Sequence, residues 1–361
     1  MPVSVILPNY NHARWLPRAL TALARQNPAP AEIIIVDDAS TDDSVSIIKS
    51  FQKSYSFVRL IRHEVNQGAE LAVQTALKQA TGEFLLFAAA DDFVLPDLFA
   101  RAIPALRNNS EAAFFCSEVL LIGEDDQIIG FRPITIPRST PGYVSPSEMR
   151  RAIRGSDNWF VGTSIVYRHA HLAGIGYFDH SLGTLQDAMA TRLLAFRHGF
   201  FFESDVLATW RIIKESLSMR SSLSSAENKK LLDLSKHWIA SHFPADIRDE
   251  YGVLFDRRLR FNMARQRLAW RQGSLDTVGI AEVLNCSTLE RTCLSLVAKL
   301  PWSSLMILAW MTIRTRPYGI GPILLSWWRN LAFNHKRAKT WQRTIGSTSE
   351  PHLIAIRPPH L

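Results

Sequence analysis

Residues 32–53 read EIIIVDDASTDDSVSIIKSFQK. EIIIVDD (32–38) is an apolar run of strand length closed by two acids. STDDSVSIIKSFQK (40–53) then offers Ser40 as an N-cap, acids for a first turn and apolar residues at helical spacing. A strand followed at once by a helix is half of a crossover unit.

The same pair recurs on both sides. VSVIL (3–7) precedes a helical pattern over 13–26, FVRLIR (57–62) precedes one over 69–80, and EFLLFAA (83–89) supplies a fourth strand. Strands alternating with helices predict crossover units and a largely parallel sheet. The near-continuous Ile, Val, Leu and Phe of the strands predict helices on both faces. After about residue 110 the pattern changes to shorter strand-like pieces, AAFFCSE, QIIGF and TSIVYR. A helix is expected over roughly 185–198, and from about 225 the pattern is helical throughout.

Composition bounds the class. The chain has 361 residues, 47% hydrophobic and 20% charged, which describes a folded protein rather than a disordered or polytopic one. The opening MPVSVILPNYN lacks a basic leader and a long apolar stretch, so no signal peptide is expected. Cys116, Cys286 and Cys293 have no metal or redox spacing and suit a reducing, cytoplasmic setting. Net charge is +8, with 18 Lys+Arg against 22 Asp+Glu in residues 1–210 and 23 against 11 in residues 211–361. A basic second half suits an anionic partner.

In an open sheet of this kind, ligands bind at the carboxyl ends of the strands. This sequence puts PNYN (8–11), Asp37 and Asp38, NQGAE (66–70), and Asp91 and Asp92 there. Neighbouring acids repel unless donors or a cation lie between them. No glycine-rich phosphate loop is present, so a diphosphate would be held through a divalent cation on a carboxylate. Taken singly, each acid has an ordinary reading: Asp37 and Asp38 as a strand end, Asp91 and Asp92 as a turn before Pro96, Asp187 as a helix N-terminal acid.

Taken in order, SVILPNYNHARWLPRALTALARQ, IIIVDDASTDDSV, NQGAELAVQTALKQATGEF and ADDFVLP resemble family 2 glycosyltransferases of the GT-A fold, over about residues 2–215. The resemblance implies a Rossmann-like three-layer α/β/α domain, a nucleotide-sugar donor (a UDP-sugar favoured), Mg²⁺ or Mn²⁺, and inverting transfer to an acceptor hydroxyl. Pro8, Asn9 and Tyr10 would line the nucleotide together with Asn66 and Gly68, and Asp38 would bond the base. Asp91 matches the last acid of the D-x-D motif and would bind metal and diphosphate, with Asp92 sharing the task. The motif's first acid is Ala89 here. Asp187 matches the catalytic base of an "ED" segment whose Glu is replaced by Gln186, and Arg211, beside Trp210, would reach a phosphate.

The expected organisation is a catalytic domain over 1–220, a helical extension over 221–298, and a basic, Trp-rich tail over 299–361. That tail holds nine Lys+Arg, one acid and half of the ten tryptophans. Its apolar runs fall short of a bilayer span, so contact at the membrane interface is expected, at the inner face. Nucleic acid is not expected, because the aromatics cluster with aliphatics. The acceptor would be a saccharide or lipid-linked glycan in cell-surface polysaccharide synthesis. Two alternatives stand beside this reading: transfer to a polyprenyl phosphate, and a non-catalytic scaffold with a degraded nucleotide-sugar site.

Overall fold

A computed structural model describes residues 3–133, 135–213, 225–269 and 275–332. Its first half alternates β1 (Val3–Asn9), α1 (Leu16–Ala24), β2 (Glu32–Asp37), α2 (Ser44–Ser54), β3 (Val58–Arg62), α3 (Ala69–Leu77), β4 (Phe84–Phe87) and α4 (Leu98–Asn108). There follow β5 (Phe114–Ile122), β6 (Ile128–Arg132), β7 (Gly142–Val144), α5 (Pro146–Ala152), β8 (Val166–Arg168), α6 (His169–Ala173), α7 (Gln186–His198) and β9 (Phe200–Arg211).

Nine strands form one sheet in the order β3-β2-β1-β4-β8-β5-β9-β7, with β6 also paired to β5. The first four strands are parallel, as the crossover pattern requires. The remainder is mixed: β8 runs antiparallel to both β4 and β5, and β7 antiparallel to β9. The expectation of a largely parallel sheet therefore holds only for the first half. Three-residue strands such as β8 carry no periodicity of their own and are set by the strands they sit between.

Alternate strand residues enter opposite faces, as the period of two dictates. Val5, Leu7, Ile33, Ile35 and Leu86 pack under α1 and α4 through Leu16, Leu20, Phe99 and Leu106. Ile6, Ile34, Val36 and Leu85 face Ala72 and Ala76 of α3, in a cluster that extends to Leu193 and Phe196 of α7. Burial on both faces explains the unbroken apolar runs. This is a three-layer α/β/α architecture with a helical C-terminal part.

Helix α2 starts later than expected. Ser40 does not cap it; its hydroxyl accepts from Asn9 Nδ2 (3.1 Å) and the Asn11 amide (3.0 Å) instead. The segment 38–43 becomes a loop at the sheet edge rather than a first helical turn.

The described C-terminal residues are helical: α8 (Ser225–His242), α9 (Arg248–Ala269), α10 (Thr277–Val283), α11 (Thr288–Val297), α12 (Ser303–Thr315) and α13 (Ile320–Ala332). Among the described residues no helix is long and apolar enough to cross a membrane. Helix α13 is anchored on the sheet, where buried Arg329 pairs with Glu118 of β5 at 2.5 Å. Backbones also meet closely: the Gly319 amide donates to the Gly155 carbonyl at 2.9 Å, and a Cβ on Gly319 would lie 3.3 Å from the Gly155 Cα. Of the expected tail over 299–361, residues 333–361, including Trp341, lie outside the described residues.

Candidate active site

The carboxyl ends of β1, β2 and β4 lie side by side on one edge of the sheet, because these strands are parallel neighbours. The end of β1 is tied to that of β2: Asn9 Nδ2 donates to Asp37 Oδ2 at 2.9 Å. Asn11 Oδ1 accepts from the Thr41 amide, and Asp42 accepts from the Ala13 amide. Tyr10 is left 43% exposed on this edge, and Pro8 is half-buried.

Asp38 is buried and its carboxylate is surrounded by donors. It takes the Gln67 amide (2.9 Å), the Gly68 amide (2.7 Å) and His63 Nδ1 (2.7 Å), while His63 Nε2 meets Thr75 Oγ1 at 3.1 Å. Burial pushes this carboxyl up, but the hydrogen bonds from Gln67, His63 and Gly68 outweigh it and hold Asp38 below the ordinary aspartate range. Gly68 adopts φ +92°, where a side chain is strained, and Asn66 Oδ1 bonds its amide at 3.1 Å. The acceptor positions of Asp38 are thus occupied by the 63–68 loop. These bonds tie the carboxylate to the loop that carries Asn66 and Gly68 and so shape that loop.

Asp91 and Asp92 differ sharply. Asp91 is half-buried, and its carboxylate has no hydrogen bond or ion pair among the described residues. Asp92 is buried, and its Oδ1 accepts the Arg211 main-chain amide at 2.6 Å. Burial, then the neighbouring charge of Asp91, push the Asp92 carboxyl well above the ordinary range. Mg²⁺ is commonly held by one or two carboxylates, with substrate phosphates and water completing its shell. An uncommitted Asp91 fits that requirement, and among the described residues no group of three acid, His or Cys ligands offers an all-protein cage.

Arg211 is not placed for a phosphate. Its side chain is buried, with Nε on the Asp91 carbonyl (2.8 Å), Nη1 on Gly123 and Glu124 carbonyls (2.7 and 3.1 Å) and Nη2 on Asp126 (2.6 Å). The expected phosphate contact is therefore corrected: the guanidinium braces the Asp91 backbone against the β5–β6 turn. Arg18 also pairs with Asp126, and Arg14 with Asp125 at 2.9 Å.

Asp187 lies in the first turn of α7. Asp187 is exposed by surface area, yet protein packed around its carboxyl desolvates it and pushes it above the ordinary aspartate range. The nearby Arg192 guanidinium acts in the opposite sense. Asp187 faces the short 3₁₀ turn Gly162–Ser164: a Cβ on Gly162 would sit 3.7 Å from Asp187 Oδ2. The next residue, Thr163, lines a small cleft with Ala88, Ala89 and Asp92. One turn thus touches both the Asp187 carboxylate and the wall beside Asp92. Gly162 and Thr163 were not singled out from the sequence, since GTS carries no charge and no motif.

A second missed group is the buried carboxylate of Asp157. It accepts hydrogen bonds from Arg192 Nε (3.1 Å) and the Tyr251 hydroxyl (2.8 Å) and is ion-paired with Arg258 Nη1 at 3.0 Å. Burial would push it up, yet the two guanidinium charges hold it below the ordinary range. Arg258 also donates to the carbonyls of Ile153 and Pro317, so α9 is locked to the domain bearing Asp187.

Residues 4–170 match the family model described as glycosyl transferase family 2. That segment is similar to family 2 glycosyltransferases. Over 97 residues the chain is 39% identical to an uncharacterized glycosyltransferase, YibD, of Escherichia coli (strain K12), covering 27% of this chain and 28% of that protein. It is 24% identical over 215 residues to a poly-beta-1,6-N-acetyl-D-glucosamine synthase of Staphylococcus epidermidis, covering 60% of this chain and 51% of the synthase. The chain thus spans about half or less of these curated relatives.

Among solved structures, S. aureus TarS 1–349 in complex with UDP-GlcNAc aligns over 88% of this chain and 89% of its own, with a TM-score of 0.57 at 16% identity. A Pyrobaculum calidifontis mannosyltransferase in complex with GDP-Man and Mn²⁺ covers 96% of this chain and 84% of its own, with a TM-score of 0.51 and 16% identity. At such identities the likeness is one of fold, and the fold is GT-A.

Proposed function

We propose that this protein is an inverting, metal-dependent glycosyltransferase of the hexosyltransferase type, moving a sugar from a UDP-sugar to an acceptor hydroxyl on a saccharide or lipid-linked glycan. The observation that carries the reading is the turn at Gly162 and Thr163. It lies beside the Asp187 carboxylate on one side and, through Thr163, shares a small cleft with Asp92 on the other.

In this reading Pro8, Asn9, Tyr10, Asn66 and Gly68 line the nucleotide, and Asp38 fixes the loop on which the last two sit. Asp91 would hold Mg²⁺ or Mn²⁺, with Asp92 sharing the task. The cation, when bound, neutralises charge on the departing diphosphate. Asp187 takes the proton of the acceptor hydroxyl, whose oxygen attacks the anomeric carbon from the face opposite the nucleotide. A base with a raised pKa is better matched to that task near neutral pH. The solved fold relatives carry UDP-GlcNAc and GDP-Man, so nucleotide-sugar donors of both bases are the ones to compare.

Peripheral contact with the inner face of a membrane is part of the proposal. Trp302, Leu305, Ile320, Leu324, Trp327 and Trp328 are exposed on α12, on α13 and beside them. Part of the expected basic charge there is turned inward, as Arg314 pairs with Glu290 at 2.7 Å and Arg329 with Glu118. The apolar surface therefore carries more of this contact than the charge does.

The deciding experiment is titration with UDP and GDP, with and without Mn²⁺, beside an Asp91→Asn variant. Metal-dependent binding of one nucleotide, lost in the variant, is expected. Absence of binding by the folded wild type would overturn the donor site and favour a scaffold.

A further inference from the structure

A cleft of about 190 Å³ lies between the sheet domain and the C-terminal helices, about six times the ~30 Å³ share of one water. The sheet side contributes Arg132 and Asn158; the helices contribute Asn262, Arg265 and Tyr318. Phe261, Pro322 and Ile323 form its apolar part.

The charge in this cleft is unbalanced. Arg132 is half-buried at the end of β6, and Arg265 of α9 stands exposed at the cleft mouth. Burial draws the Arg132 guanidinium below the ordinary arginine value, and the like charge of Arg265 draws it further. Among the described residues neither arginine has an acidic partner at ion-pair distance; Arg132 has only a long bond, 3.4 Å, to the Phe131 carbonyl. Asp157, whose charge acts on Tyr318 in this wall, is already matched by Arg192 and Arg258. Two cations facing one concavity repel unless an anion sits between them. A planar guanidinium suits phosphate oxygens above other anions.

The walls are fixed rather than adaptable. Arg258 bridges the carbonyls of Ile153 and Pro317, the latter next to the cleft residue Tyr318, and a Cβ on Gly155 would meet Pro322 Cγ at 3.0 Å. The segment lining the cleft at Asn158 reaches Gly162, beside Asp187, within four residues, or at most about 14 Å of chain.

We propose that this cleft binds the phosphate group of a phosphate-bearing ligand, with Arg132 and Arg265 as its two cationic contacts and Phe261, Pro322 and Ile323 against its apolar portion. The site is separate from the donor edge at Asp91 and stands whether or not that edge binds UDP.

The test is calorimetric titration of the full chain with pyrophosphate in EDTA, so that no metal–diphosphate site at Asp91 contributes. Parallel sedimentation uses phosphatidylcholine vesicles with and without phosphatidic acid. The variants are Arg265→Ala, Arg132→Gln, and Arg257→Ala as a control from the exposed face of the same helix. Expected is binding weakened at least tenfold in the first two variants and unchanged in the control. Binding confined to phosphatidic acid vesicles assigns a lipid headgroup; binding of soluble pyrophosphate without vesicle preference assigns a free phosphate ester. No binding of either probe by the folded wild type overturns the proposal, and so does equal weakening in Arg257→Ala, which would mean diffuse attraction. UDP affinity, measured separately with Mn²⁺, should not change in Arg265→Ala, so failure here leaves the donor reading intact and the reverse.

Discussion

The main-chain amide of Arg211 donates to Asp92 at 2.6 Å, and the same residue's Nε holds the carbonyl of Asp91. One residue at the end of β9 thereby fixes both acids of the pair, burying one and leaving the other free. The buried acid is held where its charge is disfavoured. A carboxyl whose folded pKa is raised stabilises the fold at acid pH, and that advantage is lost as pH rises from the unfolded value, about 3.9, through the folded one. Asp92→Asn removes the penalty while keeping an oxygen for the Arg211 amide. Urea unfolding in EDTA should show the variant more stable by about 1–2 kcal/mol at pH 7 and level with wild type below pH ~3.9.

Asp187→Asn is expected to lower kcat by about 10²–10⁴-fold, the usual contribution of a general base, while UDP affinity stays within about twofold. Wild-type kcat/KM should fall on the acid side as Asp187 protonates, at a pH above the ordinary aspartate value because desolvation raises this carboxyl. An unchanged turnover in the variant would instead favour an acceptor already ionised, such as a polyprenyl phosphate.

Asp38→Asn exchanges an acceptor for an amide that faces the Gln67 and Gly68 N–H groups. A loss of about 1–3 kcal/mol is expected, with UDP binding weakened about tenfold as the loop loosens. Since Asp38 is held below its ordinary pKa, its contribution is present above the unfolded value and lost as pH falls through the folded one. Wild type and variant should therefore converge in stability in acid.

Arg258→Met leaves Asp157 one guanidinium short inside the protein. Breaking a buried pair in this way costs about 3–5 kcal/mol, readable as a lower urea midpoint. Tyr251→Phe removes only the hydroxyl bond and should cost about 1–2 kcal/mol.

The first four strands and the acids that end them were legible because both signals are local. An apolar run buried on both faces is written in consecutive residues, and so is an acid at its end. Ser40 misled because a hydroxyl before acids and apolar residues is a capping signal, yet Asn9 and Asn11, about thirty residues away, compete for it. Arg211 misled for the same reason: an arginine at a strand end reads as a ligand contact until its distant partners Gly123 and Asp126 are known. Asp157 in GSDNWF reads as a turn, and Arg258 in the Arg-rich stretch RDEYGVLFDRRLRF as a solvated helix face. Only the docking of α9 buries them together, and no spacing within either segment records that docking.

The interlock of Asp157 with Arg258 and Tyr251 sets a rule for inheritance and for protein engineering. A sheet half cut free after residue 213 would leave the buried Asp157 carboxylate with Arg192 alone and two open carbonyls, at Ile153 and Pro133, where arginines of the helices now donate. Exchanging the C-terminal helices with those of a relative would succeed only if the incoming helix brings its own guanidinium and phenol to Asp157. The two halves of the chain should therefore travel together through recombination, even though a single strand order defines the fold.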